Sequence, residues 1–197
     1  MTEVANWIFL YQVLPVWVAA GFADGLCHRA TNIATTSGLK ENLLHWLMFA
    51  EVGVAVAAGL LLETTAGVLL LVFVVFLVHE ATVYWDLDYS TLRRDVGPFE
   101  QMVHSFQELL PLIWLLLLAL AAWPQTMAIF RQGAAMADWS LRLKATPLPA
   151  EYLVAAGALT LVFNVLFLLH ETWSCLRARG HVGRPASGAA RVEPRLD

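Results

Sequence analysis

Five apolar stretches, each close to the length needed to cross a bilayer, restrict this chain to one class of fold. A membrane-spanning helix needs about 20 predominantly apolar residues, and the stretches cover residues 4–23, 41–62, 68–85, 98–123 and 152–174. With 59% hydrophobic residues and a mean hydropathy of +0.64, the chain is too apolar for a soluble domain of its length. The sequence therefore predicts an all-α integral membrane protein, a bundle of five transmembrane helices.

The bundle is predicted to be one domain, residues 1–176, followed by a flexible cytoplasmic tail, residues 177–197, which is rich in Gly, Pro, Ala and Arg. The first stretch lacks the basic start of a signal peptide, so we expect it to stay in the mature fold. Cys27 and Cys175 are too few for a disulfide framework. No basic stripe interrupts the apolar stretches, so we expect no nucleic-acid partner.

Threading five helices through a membrane decides which helix ends lie on the same side. The end of the first helix, the start of the second, the end of the third, the start of the fourth and the end of the fifth share one side. Histidines and carboxylates gather at these ends: Asp24, His28, Glu41, His45, His79, Glu80, Glu100, His104, His170 and Glu171. Five of the six histidines are therefore predicted to converge, with His181 left in the tail.

The basic residues are divided unevenly between the two sides. Nine of the twelve Lys and Arg residues fall on the histidine side, and three fall on the other, namely Arg131, Arg142 and Lys144. By the positive-inside rule, the histidine side is predicted to be cytoplasmic. The protein is then expected in a bacterial-type inner membrane or a plasma membrane, with its N-terminus outside and its C-terminus inside.

A weak internal repeat relates the two halves of the bundle. The second and fourth helices open with Glu-x3-His, at Glu41/His45 and Glu100/His104. The third and fifth helices end in His-Glu, at His79-Glu80 and His170-Glu171. Residues four apart share one face of a helix. The repeat predicts a pseudo-twofold arrangement with matched ligands on facing helices, as in helix bundles that hold dinuclear sites.

Imidazole and carboxylate side chains together suit iron, zinc or manganese. Five histidines with up to seven nearby carboxylates exceed the needs of one ion. Two metal ions are therefore predicted, with iron favoured over zinc, copper or manganese. The predicted ligands are His28, His45, His79, His104, His170, Glu41, Glu100, Glu80, Glu171 and Asp24. Adjacent residues of a helix point about 100° apart, so in each His-Glu pair we expect the histidine to ligate and the glutamate to bridge or support.

Glu51 and Glu108 are predicted to lie deeper in the membrane than the histidines. A carboxylate in a dry environment is costly unless a cation compensates its charge. These two glutamates are therefore the candidate catalytic residues. For any single His or Glu at a helix end, a simpler interpretation stands beside this one, because polar side chains there often cap the helix or reach the interface.

Two short patterns are similar to known metalloproteins. The pairs Glu41/His45 and Glu100/His104 resemble those of the four-helix carboxylate di-iron proteins, which use Glu-x2-His where this chain has Glu-x3-His. Asp24-x3-His28 followed by His45 resembles the metal-binding stretch in one subunit of the membrane copper monooxygenases. The His-x3-His and His-x2-His-His boxes of the membrane fatty-acid desaturases and hydroxylases are absent from the sequence.

These features predict a membrane-embedded metalloenzyme that hydroxylates or desaturates a lipophilic substrate from the bilayer and draws on an electron donor. A zinc-dependent lipid hydrolase would use the same residues differently, with a metal-bound water attacking an ester or amide and a glutamate acting as general base. The same set could also form a metal-transport site or a bis-histidine haem site. Transport should show polar residues continuing toward the other face, and haem requires fewer carboxylates.

Overall fold

The computed structural model describes residues 2–182, and each predicted span is a helix within this range. α1 comprises the segments Thr2–Ile8 and Leu14–Ala30, joined by a π-helical turn at Phe9–Val13. It is followed by α2 (Leu39–Leu61), α3 (Ala66–Ser90), α4 (Pro98–Ala121) and the short α5 (Trp123–Ile129). α6 comprises Ala150–Thr160 and Leu166–Val182, joined by a second π-helical turn at Leu161–Val165.

The helices α1, α2, α3, α4 and α6 are long and apolar enough to cross a membrane, and residues 2–182 contain no strand. The prediction of an all-α membrane bundle is therefore confirmed. One end of the bundle is formed where α1 ends at Ala30, α2 begins at Leu39, α3 ends at Ser90 and α4 begins at Pro98. We call it the histidine end and refer to the other as the opposite end.

Three helices extend beyond their predicted limits, which changes the setting of several polar residues. α1 continues to Ala30, so Asp24 and His28 lie in the helix itself. α3 continues to Ser90, so Asp86 is helical although the sequence places it in a loop. α6 continues to Val182, so the first six residues of the predicted tail are helical. The remaining tail, residues 183–197, lies outside the described residues.

Local sequence explains where several helices begin. Pro98 occupies the first turn of α4, where its missing N–H is not needed and its fixed φ suits a helix. Thr65 caps α3 by accepting a hydrogen bond from Val68 N at 3.2 Å. Gly38 precedes α2 with a φ of +71°, a conformation that other residues rarely adopt. The connections at the histidine end, 31–38 and 91–97, are short and keep neighbouring helix ends together.

An apolar core fills the opposite end of the bundle, between α1, α2, α3 and α4. Its buried members are Phe9, Val13, Leu14, Ala55, Ala58, Val68, Leu69, Val72, Leu110, Trp114 and Leu118. Trp114 stacks on Phe9 and lies against Gly59, where a Cβ atom would clash with the indole ring. Because lipid tails are as apolar as these side chains, close packing holds this end together.

The connection between α5 and α6 covers the turn that joins α2 to α3. Leu143 pairs with Leu62 in an antiparallel bridge, and Lys144 N–H donates to the Leu61 carbonyl at 2.9 Å. The Lys144 ammonium donates to the carbonyls of Gly59 and Leu60, at the C-terminal end of α2 where positive charge is favourable. Burial lowers the pKa of Lys144. This connection closes the opposite end of the bundle.

α6 is held to the bundle mainly at the histidine end. None of the residues 150–165 is buried, whereas Glu171 and Cys175 are. Trp46 Nε1 donates to the Thr172 hydroxyl at 2.9 Å, and this hydroxyl donates to Asn42 Oδ1 at 2.8 Å. The last membrane helix therefore docks on α2 through polar side chains near the histidines.

Candidate metal centre

Ionisable side chains from all five membrane spans meet at the histidine end. Potential ligand atoms lie within 4.8 Å of one another in three groups, namely Asp24, His28, Glu100 and His104; His28, His45 and Glu171; and Glu41, His45 and Asp86. His28 and His45 each belong to two of these groups. The three groups therefore form one continuous cluster, which we call the ligand cluster.

The α1–α4 ligand group joins two carboxylate–histidine pairs, each with its members four residues apart on one helix face. These pairs are Asp24 and His28 on α1, and Glu100 and His104 on α4. His104 Nε2 lies 3.0 Å from Asp24 Oδ1. His28 Nε2 lies 3.3 Å from the same oxygen and 3.7 Å from Glu100 Oε1. Ligands on opposite sides of a metal ion are about 4 Å apart, so small side-chain movements would adapt this group to an ion.

The α2–α3 ligand group consists of Glu41 and His45 on α2 with Asp86 on α3. His45 Nε2 lies 3.7 Å from Glu41 Oε1 and 3.8 Å from Asp86 Oδ1. The three residues are only 0%, 8% and 4% exposed, respectively. One imidazole and two carboxylates supply three protein ligands, which leaves room for water or substrate at a catalytic ion.

Glu171 of α6 orients the imidazoles of both groups. His28 Nδ1 lies 3.0 Å from its Oε2, and His45 Nδ1 lies 3.1 Å from its Oε1. A carboxylate only accepts hydrogen bonds, so both Nδ1 atoms carry a proton. The two rings stack 4.2 Å apart with 8° between their planes, and each Nε2 is directed into its own ligand group. A carboxylate behind the histidine is the usual support of a metal ligand.

Arg94, from the connection between α3 and α4, links the two ligand groups. Its Nη2 lies 2.7 Å from Glu41 Oε1 and 2.6 Å from Glu100 Oε1, and its Nε donates to Glu41 Oε1 at 3.0 Å. Burial alone would lower the pKa of Arg94, but the carboxylates of Glu100 and Glu41 raise it above its usual value. Arg94 therefore stays charged and holds the two glutamates of the sequence repeat on either side of itself.

The described part of the ligand cluster carries more negative than positive charge. Its carboxylates are Asp24, Glu41, Asp86, Glu100 and Glu171, and its permanently charged cation is Arg94. With neutral imidazoles, these five negative charges and one positive charge leave a formal charge of −4. Uncompensated charge within a membrane is costly. Two divalent cations would neutralise this set, whereas protonation of its three imidazoles would leave one negative charge over.

Three buried atoms of the ligand cluster have no hydrogen-bond partner within residues 2–182. They are His28 Nε2 and Glu100 Oε1 in the α1–α4 ligand group, and Asp86 Oδ1 in the α2–α3 ligand group. Glu100 Oε1 approaches Arg94 without the alignment of a hydrogen bond. A buried polar atom that exchanges water for no partner is destabilising. One ion in each group would supply the missing partners.

A second polar set lies deeper in the bundle. His79 Nδ1 lies 3.3 Å from Glu51 Oε2, and the Thr82 hydroxyl donates to Glu51 Oε1 at 2.8 Å. Glu108 is close enough to interact electrostatically with His79 and with Glu80. His79 is buried, and it does not belong to the metal-ligand groups found in residues 2–182. The structure therefore presents His79 and Glu51 as a hydrogen-bonded acid–base pair.

A cavity of about 210 Å³ extends from the ligand cluster to His79 of this deeper pair. The imidazoles of His28, His45 and His79 contribute to its polar lining, and Trp17 and Phe49 are among its apolar walls. A largely apolar pocket with a few convergent polar groups is the usual form of a small-molecule site. An apolar molecule in the cavity would therefore be within reach of both polar sets.

Seven of the predicted ligands come together in the ligand cluster, namely Asp24, His28, Glu41, His45, Glu100, His104 and Glu171. His79 pairs with Glu51 instead. His170 is exposed on the outer surface of α6, and Glu80 is partly buried near Glu108. Glu108 itself lines the cavity on the same helix as His104.

The two His-Glu pairs of the repeat are not equivalent in the structure. In the first pair the histidine, His79, is buried, and in the second the glutamate, Glu171, is buried. Neighbours that point about 100° apart cannot both face the centre of a bundle. The expected ligand His170 therefore faces outward, and Glu171 faces the ligand cluster and holds the imidazoles of His28 and His45. The repeat therefore matches at its Glu-x3-His pairs, where Nε2 of His45 and of His104 lies 3.7 and 4.0 Å from Oε1 of Glu41 and of Glu100, respectively, and it differs at its His-Glu pairs.

Two residues of the site, Asp86 and Arg94, fall where the sequence predicts a loop. Asp86 lies seven residues after His79, which is two helical turns along one face. Continuing the third helix by one turn would have revealed it. Arg94 follows Arg93 directly, and the sequence contains no signal that one guanidinium is buried while the other is exposed.

Comparison with known proteins gives no match for this chain among family models, curated proteins or solved structures. A fold by itself does not imply a function. The function is therefore argued from the chemistry of the ligand cluster and the cavity.

Proposed function

We propose that this protein is a membrane metalloenzyme whose dinuclear centre oxidises a lipophilic substrate. The observation that carries the proposal is that two ligand groups lie side by side. His28 belongs to one group and His45 to the other, and their rings stack 4.2 Å apart. One ion would bind in the α1–α4 ligand group and the other in the α2–α3 ligand group. Glu171 and Arg94 would orient the ligands from outside. Mixed imidazole and carboxylate ligands support iron, with manganese and zinc as competitors.

The residues around the cavity support hydroxylation or desaturation of a hydrocarbon. When bound, two iron ions would supply the site at which dioxygen is reduced. Hydroxylation of one C–H bond consumes one dioxygen, two electrons from an external donor and two protons, and it releases one water. His79 would exchange protons with the reacting groups, Glu51 would act through its hydrogen bond to His79, and Glu108 would assist from α4. The apolar walls would exclude bulk water and hold the substrate.

A zinc-dependent lipid hydrolase is the second candidate, and the His79–Glu51 pair favours it. A histidine held by a carboxylate is well suited to act as a general base. A metal-bound water of lowered pKa would attack an ester or amide, and no electron donor would be needed. Both candidates use the same ligand groups, so the identity of the bound metal separates them.

The histidine end is proposed to face the cytoplasm, because nine of the twelve basic residues fall on that side of the sequence. Asp95→Cys and Gln132→Cys introduce thiols at exposed positions at the two ends of the bundle. In sealed vesicles, a membrane-impermeant thiol reagent should reach these thiols from opposite sides, with Asp95→Cys on the cytoplasmic side. The reverse pattern would invert the orientation, and the parent protein controls for its own cysteines.

Metal analysis and an absorption spectrum of the detergent-purified protein test the proposed function. We expect about two ions per chain, as in dinuclear catalytic sites. Iron without a Soret band supports oxidation, zinc supports the hydrolase, and a Soret band would replace both with a haem site. Substoichiometric metal, even after reconstitution with iron(II), manganese(II) and zinc(II), would overturn the dinuclear centre.

A matched pair of histidine variants locates the metal. His104→Ala removes a side chain of the α1–α4 ligand group. Loss of a contact that only supports a ligand lowers metal affinity about 10-fold to 100-fold, so loss of His104 itself should lower it further. His170→Ala makes the same change at an exposed position of α6 and should keep the metal. Equal metal content in the two variants would place the ions elsewhere.

A further inference from the structure

We propose that the gap between α1 and α6 binds the hydrocarbon chain of a neutral long-chain amphiphile whose polar end reaches the ligand cluster. We call this gap the chain groove. That this amphiphile is the substrate rests on the proposed function. The binding of the chain rests on the groove itself and is tested separately.

The chain groove is a cavity of about 340 Å³ formed by α1 and α6. Leu14, Val18 and Ala19 line it on α1, and Ala155 and Leu159 line it on α6. Apart from two tyrosine hydroxyls, its described lining side chains are apolar. Tyr152 uses its hydroxyl to donate to the Leu10 carbonyl at 2.8 Å. The groove therefore suits a hydrocarbon and offers no charged partner.

The chain groove adjoins the central cavity. Both are lined by Leu14 and Val18 of α1, and on α6 Leu159 lines the groove while its neighbour Thr160 lines the cavity. From Leu14 to His28 the distance along α1 is about 21 Å at 1.5 Å per residue. The hydrocarbon core of a bilayer is about 30 Å thick. An amphiphile of membrane length, with its hydrocarbon chain in the groove, could therefore place its polar end at the ligand cluster.

α1 and α6 touch at Tyr152, which contacts Leu10 and Tyr11, and they pack closely near the ligand cluster. There, Gly21 and Gly25 admit the side chains of Asn164 and Phe167, which a Cβ atom at either glycine would crowd. Further from the cluster than Asn164, residues 150–163 of α6 are not buried. Each helix also contains a π-helical turn, a feature found frequently at functional sites. A lateral opening between the two helices would therefore lie between the glycines and Tyr152.

The charge of the ligand cluster argues for a neutral polar end. The cluster has a formal charge of −4 with neutral imidazoles, and two divalent cations would bring it to zero. An anionic end would be repelled by the metal-free cluster and would gain no net attraction from the metal-loaded one. A hydroxyl carries no charge and is not repelled by either. The chemistry therefore favours a long-chain alcohol or a related neutral amphiphile over a fatty acid.

Photo-crosslinking tests the proposal with a long-chain alcohol that carries a diazirine near its methyl end. Mass spectrometry should map its adducts to Leu14, Val18 and Leu159, with few at the lipid-exposed Leu70 and Phe73 of α3. A fatty acid with the same chain and diazirine should label the groove less. Equal labelling of groove and α3, or stronger labelling by the fatty acid, would overturn the proposal.

Variants that fill the chain groove give the matched comparison. Ala19→Trp and Ala155→Trp add bulk from either wall at exposed positions, and each should lower labelling of Leu14 and Val18 about tenfold. Ala158→Trp adds the same bulk on α6 outside the groove lining and should leave labelling unchanged. Unaltered labelling in both groove variants, or an equal loss in Ala158→Trp, would overturn the proposal.

The experiment is repeated on metal-loaded and chelator-treated protein, so that the two proposals fail separately. The groove should be labelled by the alcohol probe in both preparations. A protein that binds no metal but shows this labelling would overturn the proposed function and keep the groove. A protein with two ions and no preferential labelling would overturn the groove alone.

Discussion

The two ends of the bundle are built from the same helices by opposite means. At the opposite end, apolar side chains such as Phe9, Trp114 and Leu118 interdigitate, and a connection covers the turn between α2 and α3. At the histidine end, buried charged groups such as Glu41 and Arg94 occupy the equivalent space. Packing therefore stabilises one end without specialised chemistry, whereas the other end gathers charges that are costly to bury unless they are paired.

This difference indicates that α6 is held in place mainly by residues at the ligand cluster. Its half at the opposite end contributes no buried residue from 150 to 165, and its half at the histidine end contributes Glu171 and Thr172 to polar contacts with α2. The side chains that orient the proposed metal ligands therefore also attach a helix. A substitution there should alter metal binding and helix docking together.

The largest effect is expected from removing the cation that links the two ligand groups. Arg94→Gln leaves Glu41 and Glu100 without their shared guanidinium and should destabilise the metal-free protein by about 3–5 kcal/mol, the cost of breaking a buried ion pair. Bound cations would compensate part of this charge, so the loss should be smaller with metal. Thermal unfolding in detergent, with and without chelator, measures both values.

Arg93→Gln is the matched control for Arg94→Gln. Its guanidinium is exposed and lies 3.7 Å from the centre of the Tyr89 ring, so the change should cost less than about 1 kcal/mol. An equal loss of stability in the two variants would show that the ligand cluster does not depend on Arg94. The histidine end would then not depend on the buried charge of Arg94 for its stability.

The next effect concerns the apolar end and should leave the metal untouched. Leu118→Ala opens a cavity beside Trp114 and should destabilise the protein by about 2–5 kcal/mol, equally with and without metal. Leu116→Ala makes the same change at a side chain that is 53% exposed and should cost far less. Metal content per folded chain should equal that of the parent in both variants. Loss of metal from Leu118→Ala would mean that the two ends are not independent.

The smallest effect is on metal affinity and comes from the support behind the imidazoles. Glu171→Gln leaves one accepting oxygen for two Nδ1–H groups, so metal affinity should fall about 10-fold to 100-fold, or about 1.4–2.7 kcal/mol. Glu151→Gln is an exposed control near the other end of α6 and should have no effect. Competition with a chelator measures the affinity. Unchanged metal affinity in Glu171→Gln would show that Glu171 does not support the metal ligands.

The carboxylate–histidine pairs that could be predicted from the sequence are those whose two members lie on the same helix. Asp24 with His28, Glu41 with His45, and Glu100 with His104 are each four residues apart, and a helix places such residues on one face wherever it packs. Asp86 was not predicted because the sequence defines the end of a helix less precisely than its apolar middle. Arg94 was hidden because its burial depends on two glutamates that lie 53 residues before it and six residues after it in the sequence.

The sequence by itself determined the five membrane helices, the side of the bundle on which each one ends and the residues that share a helix face. These properties depend on length, hydropathy and helical periodicity, which are local to each stretch. Only the tertiary structure decided that Glu171 faces inward while His170 faces outward, and that His79 pairs with Glu51 away from the ligand cluster. A helix that is apolar on every side carries no preferred face, so its rotation is chosen by the side chains of its neighbours.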